Sequence, residues 1–265
     1  MTKKIALAGA AGRMGREIVR AAQGSDIQIG AAIEYDGSPL IGSDIGEIAG
    51  VGKIGVSVVS DLKSVAESCD VILDMSLPTA TAGIIEIALD KEIPLVCGTT
   101  GISEDVLAMF KDAAKKIAVI HTKNFSVGIA VLSSLAAKAA AILGENYDIE
   151  IIEKHHRNKV DAPSGTAQIL ADAIAASTDT ANTGYIYGRE GKTGVRPTGE
   201  IAIHAIRAGG IFGEHSVMLA SPNERLELVH KAETRALFAE GAVRTCSFIA
   251  SAKPGFYTMA EVLGL

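Results

Sequence analysis

The stretch KIALAGAAGRMGREIVRAAQ, from Lys4 to Gln23, decides how the rest of the chain is read. Lys4 to Ala8 is a short apolar run that stops at Gly9, and from Arg13 to Gln23 the residues Met14, Ile18, Val19 and Ala22 recur at helical spacing. Strand, tight turn and helix follow one another directly. Glycine stands at every third position of the turn, Gly9-Ala10-Ala11-Gly12-Arg13-Met14-Gly15. A turn so poor in side chains lets backbone N–H groups approach a pyrophosphate, and the helix start adds partial positive charge. Gly-x-x-Gly-x-x-Gly departs from the commoner dinucleotide spacing, and glycine turns also serve structure alone, so the surroundings have to decide.

They favour a nucleotide. The next strand, Ile27 to Ile33, ends at the acidic Glu34, where a carboxylate accepts hydrogen bonds from an adenosine ribose. The alternation then continues through helix Leu62 to Glu67, strand Val71 to Met75, helix Thr79 to Leu89, strand Leu95 to Cys97, helix Glu104 to Lys115 and strand Ala118 to His121. Strands alternating with helices imply a parallel sheet with right-handed crossovers and helices on both faces. The rhythm changes after Asn124. A long helix from Ser126 to Leu143, a strand Asp148 to Glu153 and a helix Gly165 to Ala176 precede a run of strands at Ile201 to Arg207, His215 to Leu219 and Glu224 to Lys231. This predicts a dinucleotide-binding domain over residues 1–126, rejoined by 233–265, and an α+β domain over 127–232. Glycines and Pro197 between Thr183 and Thr198 predict a mobile loop, and Lys253-Pro254-Gly255-Phe256 a turn after the last long helix, Ala232 to Ala250.

Composition narrows the function. Among 265 residues, 48% are hydrophobic and 21% charged, which argues for a folded core and against disorder. Aromatics are 4% with no Trp, and the net charge is −6, so neither a stacking platform nor a basic surface for nucleic acid is expected. Cys69, Cys97 and Cys246 are odd in number and lack paired spacing, which suits a reducing cytoplasm and no metal knuckle. The first residues lack a signal-peptide layout. The most apolar stretch, Val127 to Leu143, is broken by Ser133, Ser134 and Lys138 and reads as a buried helix, so no membrane partner is expected.

Two further stretches carry chemistry. Cys97-Gly98-Thr99-Thr100-Gly101 and Asp74-Met75-Ser76-Leu77-Pro78 both fall at strand ends, where ligands of open α/β sheets gather, although Gly-Thr-Thr-Gly alone reads equally as a turn. The other is Glu153-Lys154-His155-His156-Arg157-Asn158-Lys159, followed by Asp161-Ala162-Pro163-Ser164-Gly165-Thr166-Ala167. Adjacent histidines beside Arg157 and Lys159 concentrate cationic groups in an acidic protein. No Cys or acidic residue stands at metal-ligand spacing beside them, so no metal site is expected. The Ser-Gly-Thr helix start offers a hydroxyl cap and backbone N–H groups, and a basic cluster leading into it suits a carboxylated substrate.

Taken together, GAAGRMG at Gly9–Gly15, GTTG at Gly98–Gly101, NFSVG at Asn124–Gly128, EKHHRNKVDAPSGTA at Glu153–Ala167, RAGG at Arg207–Gly210, GEH at Gly213–His215 and PGFYTM at Pro254–Met259 make the chain similar, nearly end to end, to the dihydrodipicolinate reductase family. The resemblance implies an α/β protein: a Rossmann-type doubly wound parallel sheet and a second α+β domain containing a mixed open sheet. It implies NAD(P)H-dependent reduction of a cyclic imine dicarboxylate in the diaminopimelate route to lysine. Gly9, Ala10, Ala11, Gly12, Arg13, Met14, Glu34, Gly98, Thr99, Thr100, Thr122, Lys123, Asn124 and Phe125 fall on cofactor positions. His155 and Lys159 fall on the catalytic pair, and His156, Ser164, Gly165 and Thr166 on substrate positions. Many relatives carry Arg after the acidic residue, where it meets a 2′-phosphate; Tyr35 stands here, which points to NADH as the preferred cofactor with NADPH possible. Family members are typically homotetramers joined through sheets of the second domain. Another two-domain amino- or imino-acid dehydrogenase, such as an aspartate dehydrogenase type, or a non-catalytic NAD-binding sensor are the alternatives.

Overall fold

The computed structural model describes residues 2–178 and 184–265, so Thr183, the first residue of the predicted glycine-rich loop, lies outside the described residues. The chain forms two compact units: residues up to Ser126 with Ala236–Gly264, and Val127–Arg235 with Leu265. The chain leaves the second unit three residues beyond Ala232, because the Ala232 N–H still bonds to the Gly213 carbonyl and prolongs the strand pairing.

The first unit contains strands β1 (Lys3–Ala8), β2 (Ile27–Ile33), β3 (Val58–Val59), β4 (Val71–Asp74), β5 (Leu95–Cys97) and β6 (Ala118–His121), with helices α1 (Arg13–Ala22), α2 (Ile45–Ala49), α3 (Leu62–Val65), α4 (Pro78–Asp90) and α5 (Glu104–Ala113) between them. All pairings are parallel, in the order β3-β2-β1-β4-β5-β6. A parallel sheet covered by helices on both faces needs strands apolar throughout, and Ile5, Leu7, Ile72, Leu73, Leu95, Val96 and Ile120 are all fully buried. Strand order reverses between β1 and β4, so the crevice at their carboxyl ends is the place where this architecture receives ligands.

Two short elements escape a reading by periodicity. Gly255–Tyr257, whose first two residues were expected in the turn Lys253–Phe256, extends the sheet as a seventh strand beside β6, and Val58–Val59 adds the opposite edge; neither is long enough to show a repeat.

The second unit holds α6 (Val127–Leu143), β7 (Asp148–His155), α7 (Gly165–Ser177), β8 (Tyr185–Ile186), β9 (Ile201–Arg207), β10 (Glu214–Ala220) and β11 (Arg225–Lys231). The strands form a mixed sheet ordered β11-β10-β7-β9-β8, antiparallel on the β10 side of β7 and parallel on the β9 side. Along β7 the buried positions are Ile149, Ile151, Glu153 and His155, a strict alternation that puts all four on one face. The strand runs two residues beyond the predicted Glu153, and this carries His155 onto the sheet. Ile149 and Ile151 join Leu170, Ile174, Ile203, Val217 and Leu219 in the core under α6 and α7. With the turn after it, α6 is long and apolar enough by length and composition to cross a membrane; expected as a buried helix, it is buried along one face only, where Ile129, Leu132, Ala136 and Ala140 join this core, while Leu135 and Ile142 are exposed.

The stretch after Ile186 is a loop with ion pairs to the sheet. Arg189 and Arg196 both bond to Glu150 on β7, Arg196 also reaches Asp148 at 2.8 Å, and Arg189 pairs with Glu200. Its glycines supply turns while its two arginines fasten it to the sheet. Burial opposes ionisation of Glu150, but hydrogen bonds from Arg189, His204 and Arg196 outweigh it and hold the carboxyl at about 2.

The candidate active site

In the first unit the glycine turn closes tightly at the end of β1. The N–H groups of Gly9 and Ala10 both bond to the Ile33 carbonyl, and Gly15 lies against the carbonyls of Gly9 and Ala10, where a Cβ would come within 2.3 Å of either oxygen. The side chains of Ala10 and Ala11 are buried, so only their backbone is available to a ligand. Glu34 Oε1 accepts the Ala11 N–H at 2.8 Å, which places the predicted ribose acceptor on the same turn as the predicted phosphate donors. A cleft of about 600 Å³ opens here, lined by Gly9, Gly12, Glu34 and Tyr35 together with Ser60, Asp61, Ser76, Leu77 and Thr79. Its glycine-lined end beside the turn and its two carboxylates, Glu34 and Asp61, suit an adenine nucleotide. Arg13 and Met14 open α1 beside it without lining it.

The remaining predicted cofactor residues gather at neighbouring strand ends. Asp74, fully buried at the end of β4, organises them. Its Oδ1 accepts from Ser76 N at 2.9 Å, Ser76 Oγ at 2.5 Å and Thr99 Oγ1 at 3.1 Å, and its Oδ2 accepts from Thr81 Oγ1 at 2.9 Å and Cys97 Sγ at 3.4 Å. Burial first, and then the charge of Asp74, push the Cys97 thiol far up, so it stays a donor. Gly98 fits between Met75 and Phe125, and a Cβ there would lie 2.7 Å from the Phe125 ring. His121, stacked on Phe110, contacts the Thr99 carbonyl through Nε2 at 3.1 Å. After β6, the Asn124 N–H bonds to Thr122 Oγ1, and the Asn124 side chain accepts the Ser126 N–H at 2.8 Å. Thr100 and Lys123 are exposed on these loops.

The second unit presents a different arrangement. His155 ends β7 with Nδ1 2.7 Å from Glu153 Oε2. Arg207, opposite His155 on β9, grips Glu153 with two bonds of 2.7 Å, and Glu153 Oε1 also accepts the Ser164 N–H at 2.9 Å. Burial works against the Glu153 charge, yet the bonds from His155, Arg207 and the Ser164 backbone prevail and hold the carboxyl at about 2. An ionised carboxylate only accepts, so His155 Nδ1 carries the hydrogen and Nε2 is the nitrogen left to exchange a proton. Nε2 lies beside Gly213, where a Cβ would approach it to 3.1 Å.

Ser164 caps α7, its Oγ accepting the Ala167 N–H at 3.2 Å and contacting His215 Nε2 at 3.1 Å. Gly165 follows on an open side, with no atom within 4 Å of where a Cβ would stand, and Thr166 occupies the next position of the helix start. His215, paired with Glu153 across β10, meets the His155 ring edge-on at 5.2 Å; burial and then the neighbouring His155 lower its pKa to about 3, so it is neutral. Lys159 Nζ reaches Asp161 Oδ1 at 2.8 Å, and this bond, the largest influence on Asp161, keeps that carboxyl ionised. The Ala162–Pro163 peptide bond is cis. His156 carries a buried Nδ1 with no hydrogen-bond partner among the described residues.

Glu153 and Arg207 were not singled out from the sequence, nor was His215. The available signal was the two-residue period of β7, which puts Glu153 beneath His155, and the RAGG and GEH stretches that supply Arg207 and His215.

Glu153 also makes the second unit acid-sensitive. Its carboxyl lies near 2 when folded against an ordinary 4.5, so the stabilisation is complete above about pH 4.5 and disappears as pH falls toward 2. The loss is on the order of 3 kcal/mol by linkage, and Glu150 adds to it in the same direction. Urea unfolding at a series of pH values between 6 and 2.5 shows this decline, and Arg207→Gln makes it shallower.

A parallel nucleotide-binding sheet, with a second unit that holds an oriented imidazole beside a polar helix start, defines an NAD(P)-type oxidoreductase. Two family models match the chain: "Dihydrodipicolinate reductase, N-terminus" over residues 3–125 and "Dihydrodipicolinate reductase, C-terminus" over 128–263. The chain belongs to the dihydrodipicolinate reductase family. It is 46% identical over 268 residues to the 4-hydroxy-tetrahydrodipicolinate reductase of Magnetococcus marinus, covering 100% of this chain and 99% of that protein. It is 44% identical over 270 residues to the protein of the same name from Alkalilimnicola ehrlichii, covering 100% of both. Among solved structures, the dipicolinate-bound dihydrodipicolinate reductase of Paenisporosarcina sp. TG-14 is 26% identical with a TM-score of 0.77 over 97% of each chain. These relatives support the reductase reading over an aspartate-dehydrogenase type.

Proposed function

We propose that the chain reduces dihydrodipicolinate, formed from 4-hydroxy-tetrahydrodipicolinate, to tetrahydrodipicolinate in lysine biosynthesis, with NADH preferred over NADPH. The observation that carries the reading is His155 held by an ionised Glu153 with Nε2 left open, next to the Ser164 helix start. A reduced nicotinamide, when bound, supplies the hydride. Gly9 to Met14 and Glu34 hold its adenosine diphosphate portion, and Gly98 to Thr100 with Thr122 to Phe125 hold the rest. One carboxylate of the cyclic substrate lies on Ser164, Gly165 and Thr166, where hydroxyl and backbone N–H groups donate to it, with the His156 ring and the Lys159 ammonium as further donors. Charge pushed into the conjugated ring is met by the proton on His155 Nε2, and Lys159 stabilises that charge as it forms. His155 then regains its proton from solvent.

The cleft in the first unit supports this cofactor preference. Glu34 and Asp61 both line it, and Tyr35, 65% exposed, stands where a cation would be needed for a 2′-phosphate. Two carboxylates among lining residues that include no Lys or Arg disfavour a phosphate dianion. Coupled assays with enzymatically generated dihydrodipicolinate give a higher kcat/KM for NADH than for NADPH, and Tyr35→Arg moves the ratio toward NADPH by about tenfold. Equal efficiency with both cofactors in the unsubstituted protein overturns the preference, and no turnover with either overturns the activity.

In the same reading the protein is a cytoplasmic homotetramer with no nucleic-acid or membrane partner. The sheet face opposite α6 and α7 supports an interface between copies, since Ile152, Met218 and Val229 lie there only partly covered.

A further inference from the structure

We propose that Glu153 is a positioning residue for the reduction, a single buried carboxylate that sets the proton donor and the carboxylate-binding helix start together. The inference rests on the reading of His155 as proton donor and of Ser164 to Thr166 as the anion site.

Glu153 has no exposed surface, and each of its contacts belongs to a different part of the site. Through Oε2 it takes the hydrogen of His155 Nδ1 and so selects the tautomer with Nε2 outward. Through Oε1 it takes the Ser164 N–H, the residue that caps α7. Arg207 closes the remaining side with two bonds and, through a third to the Asp161 carbonyl at 2.6 Å, ties down the loop that carries Lys159. An ordinary structural ion pair satisfies its two charges and stops there. Here the carboxylate holds two groups nine residues apart in sequence, His155 and Ser164, whose separation has to match a rigid ring.

The groups facing His155 are Glu153 on its own strand, Arg207 on β9, His215 on β10 and the Lys159–Asp161 pair on the following loop, with His230 on β11 beyond His215. Glu153 is the one anion in direct contact with the ring among the described residues. Removing its charge deprives the protonated imidazole of its counter-ion and frees the ring to turn.

Glu153→Gln tests this. It lowers kcat by roughly 10²-fold and moves the pH–rate limb that reports the proton donor by about one unit toward acid. It also weakens binding of dipicolinate, measured by calorimetry, and leaves NADH affinity, measured by fluorescence, unchanged. Glu153→Asp keeps the charge but retracts it, so it leaves the pH limb in place while lowering kcat; it serves alone if the Gln variant does not fold. Unaltered kcat, pH limb and dipicolinate affinity in the variants that fold overturn the assignment. His155→Gln separates the two claims: full activity there removes the reading of the site, whereas an inactive His155→Gln beside fully active Glu153 variants removes only the positioning role.

Discussion

His155→Gln lowers kcat for dihydrodipicolinate reduction by roughly 10²- to 10⁴-fold, the range for loss of a positioned general acid, while the dissociation constant for NADH stays where it was. The reason for so large an effect lies in the neighbours. Glu153 stays ionised because Arg207, the Ser164 N–H and His155 itself outweigh its burial, and an ionised Glu153 fixes the hydrogen on His155 Nδ1. The imidazole therefore presents one exchangeable proton in one direction. Glutamine copies the Nδ1 hydrogen bond to Glu153 but offers no proton that leaves at neutral pH. His215 does not take over: it is nearby and edge-on, yet burial keeps it neutral and its Nε2 meets Ser164 Oγ. Lys159→Ala produces a loss of the same kind with a rise in substrate KM, since Lys159 serves both ring charge and carboxylate. Steady-state kinetics with a stopped-flow titration of NADH check both variants; wild-type kcat in either removes that residue from the chemistry.

What could be read in advance divides along physical lines. The parallel sheet was legible because each of its main strands is a short apolar run bounded by a turn, and α1 and α4 repeat at 3.6 residues; the strand ends that gather Gly9, Glu34, Gly98 and Thr122 come with that architecture. His155 was legible as chemistry but not as geometry. A polar residue at the end of an otherwise apolar alternation looks like the start of a loop, so β7 was ended at Glu153, and the pairing that buries Glu153, His155 and His215 beside a half-buried Arg207 on one side of a mixed sheet joins residues up to 62 positions apart, from Glu153 to His215. Such pairing leaves no local trace. Asp74 is a similar case: the sequence puts it with Met75 to Pro78 at a strand end where ligands gather, and only the fold brings Thr81, Cys97 and Thr99 to its two oxygens. The glycine-rich stretch after Thr183 was legible as a loop, but loop composition says nothing about Arg189 and Arg196 finding Glu150.

Gly9→Ala is the most damaging change expected in the first unit, and comparison with Gly37→Ala isolates why. Both glycines have positive φ, +73° and +85°, so each substitution carries the backbone penalty of about 1 kcal/mol that a Cβ incurs there. Gly37 has nothing within 4 Å of the added atom, and its cost ends with that penalty. At Gly9 the new Cβ would stand 2.4 Å from the Met75 carbonyl oxygen and 3.0 Å from Ser76 Cα. That wall is backbone and cannot rotate away: Met75 N–H is bonded to the Ala8 carbonyl, and Ser76 N–H to the buried Asp74. Relief has to come from the glycine turn, whose Gly9 and Ala10 N–H groups share the Ile33 carbonyl and whose Ala11 N–H is held by Glu34. Moving it displaces the amides and the acidic residue proposed to hold the dinucleotide. Gly9→Ala therefore lowers stability by about 3 kcal/mol or more and weakens NADH binding by at least about 10²-fold, whereas Gly37→Ala changes stability by about 1 kcal/mol and leaves NADH binding intact. Denaturant titration and NADH fluorescence on the two variants decide it; equal NADH affinity in both would mean that the close approach of β1 to β4 does not shape the cofactor turn.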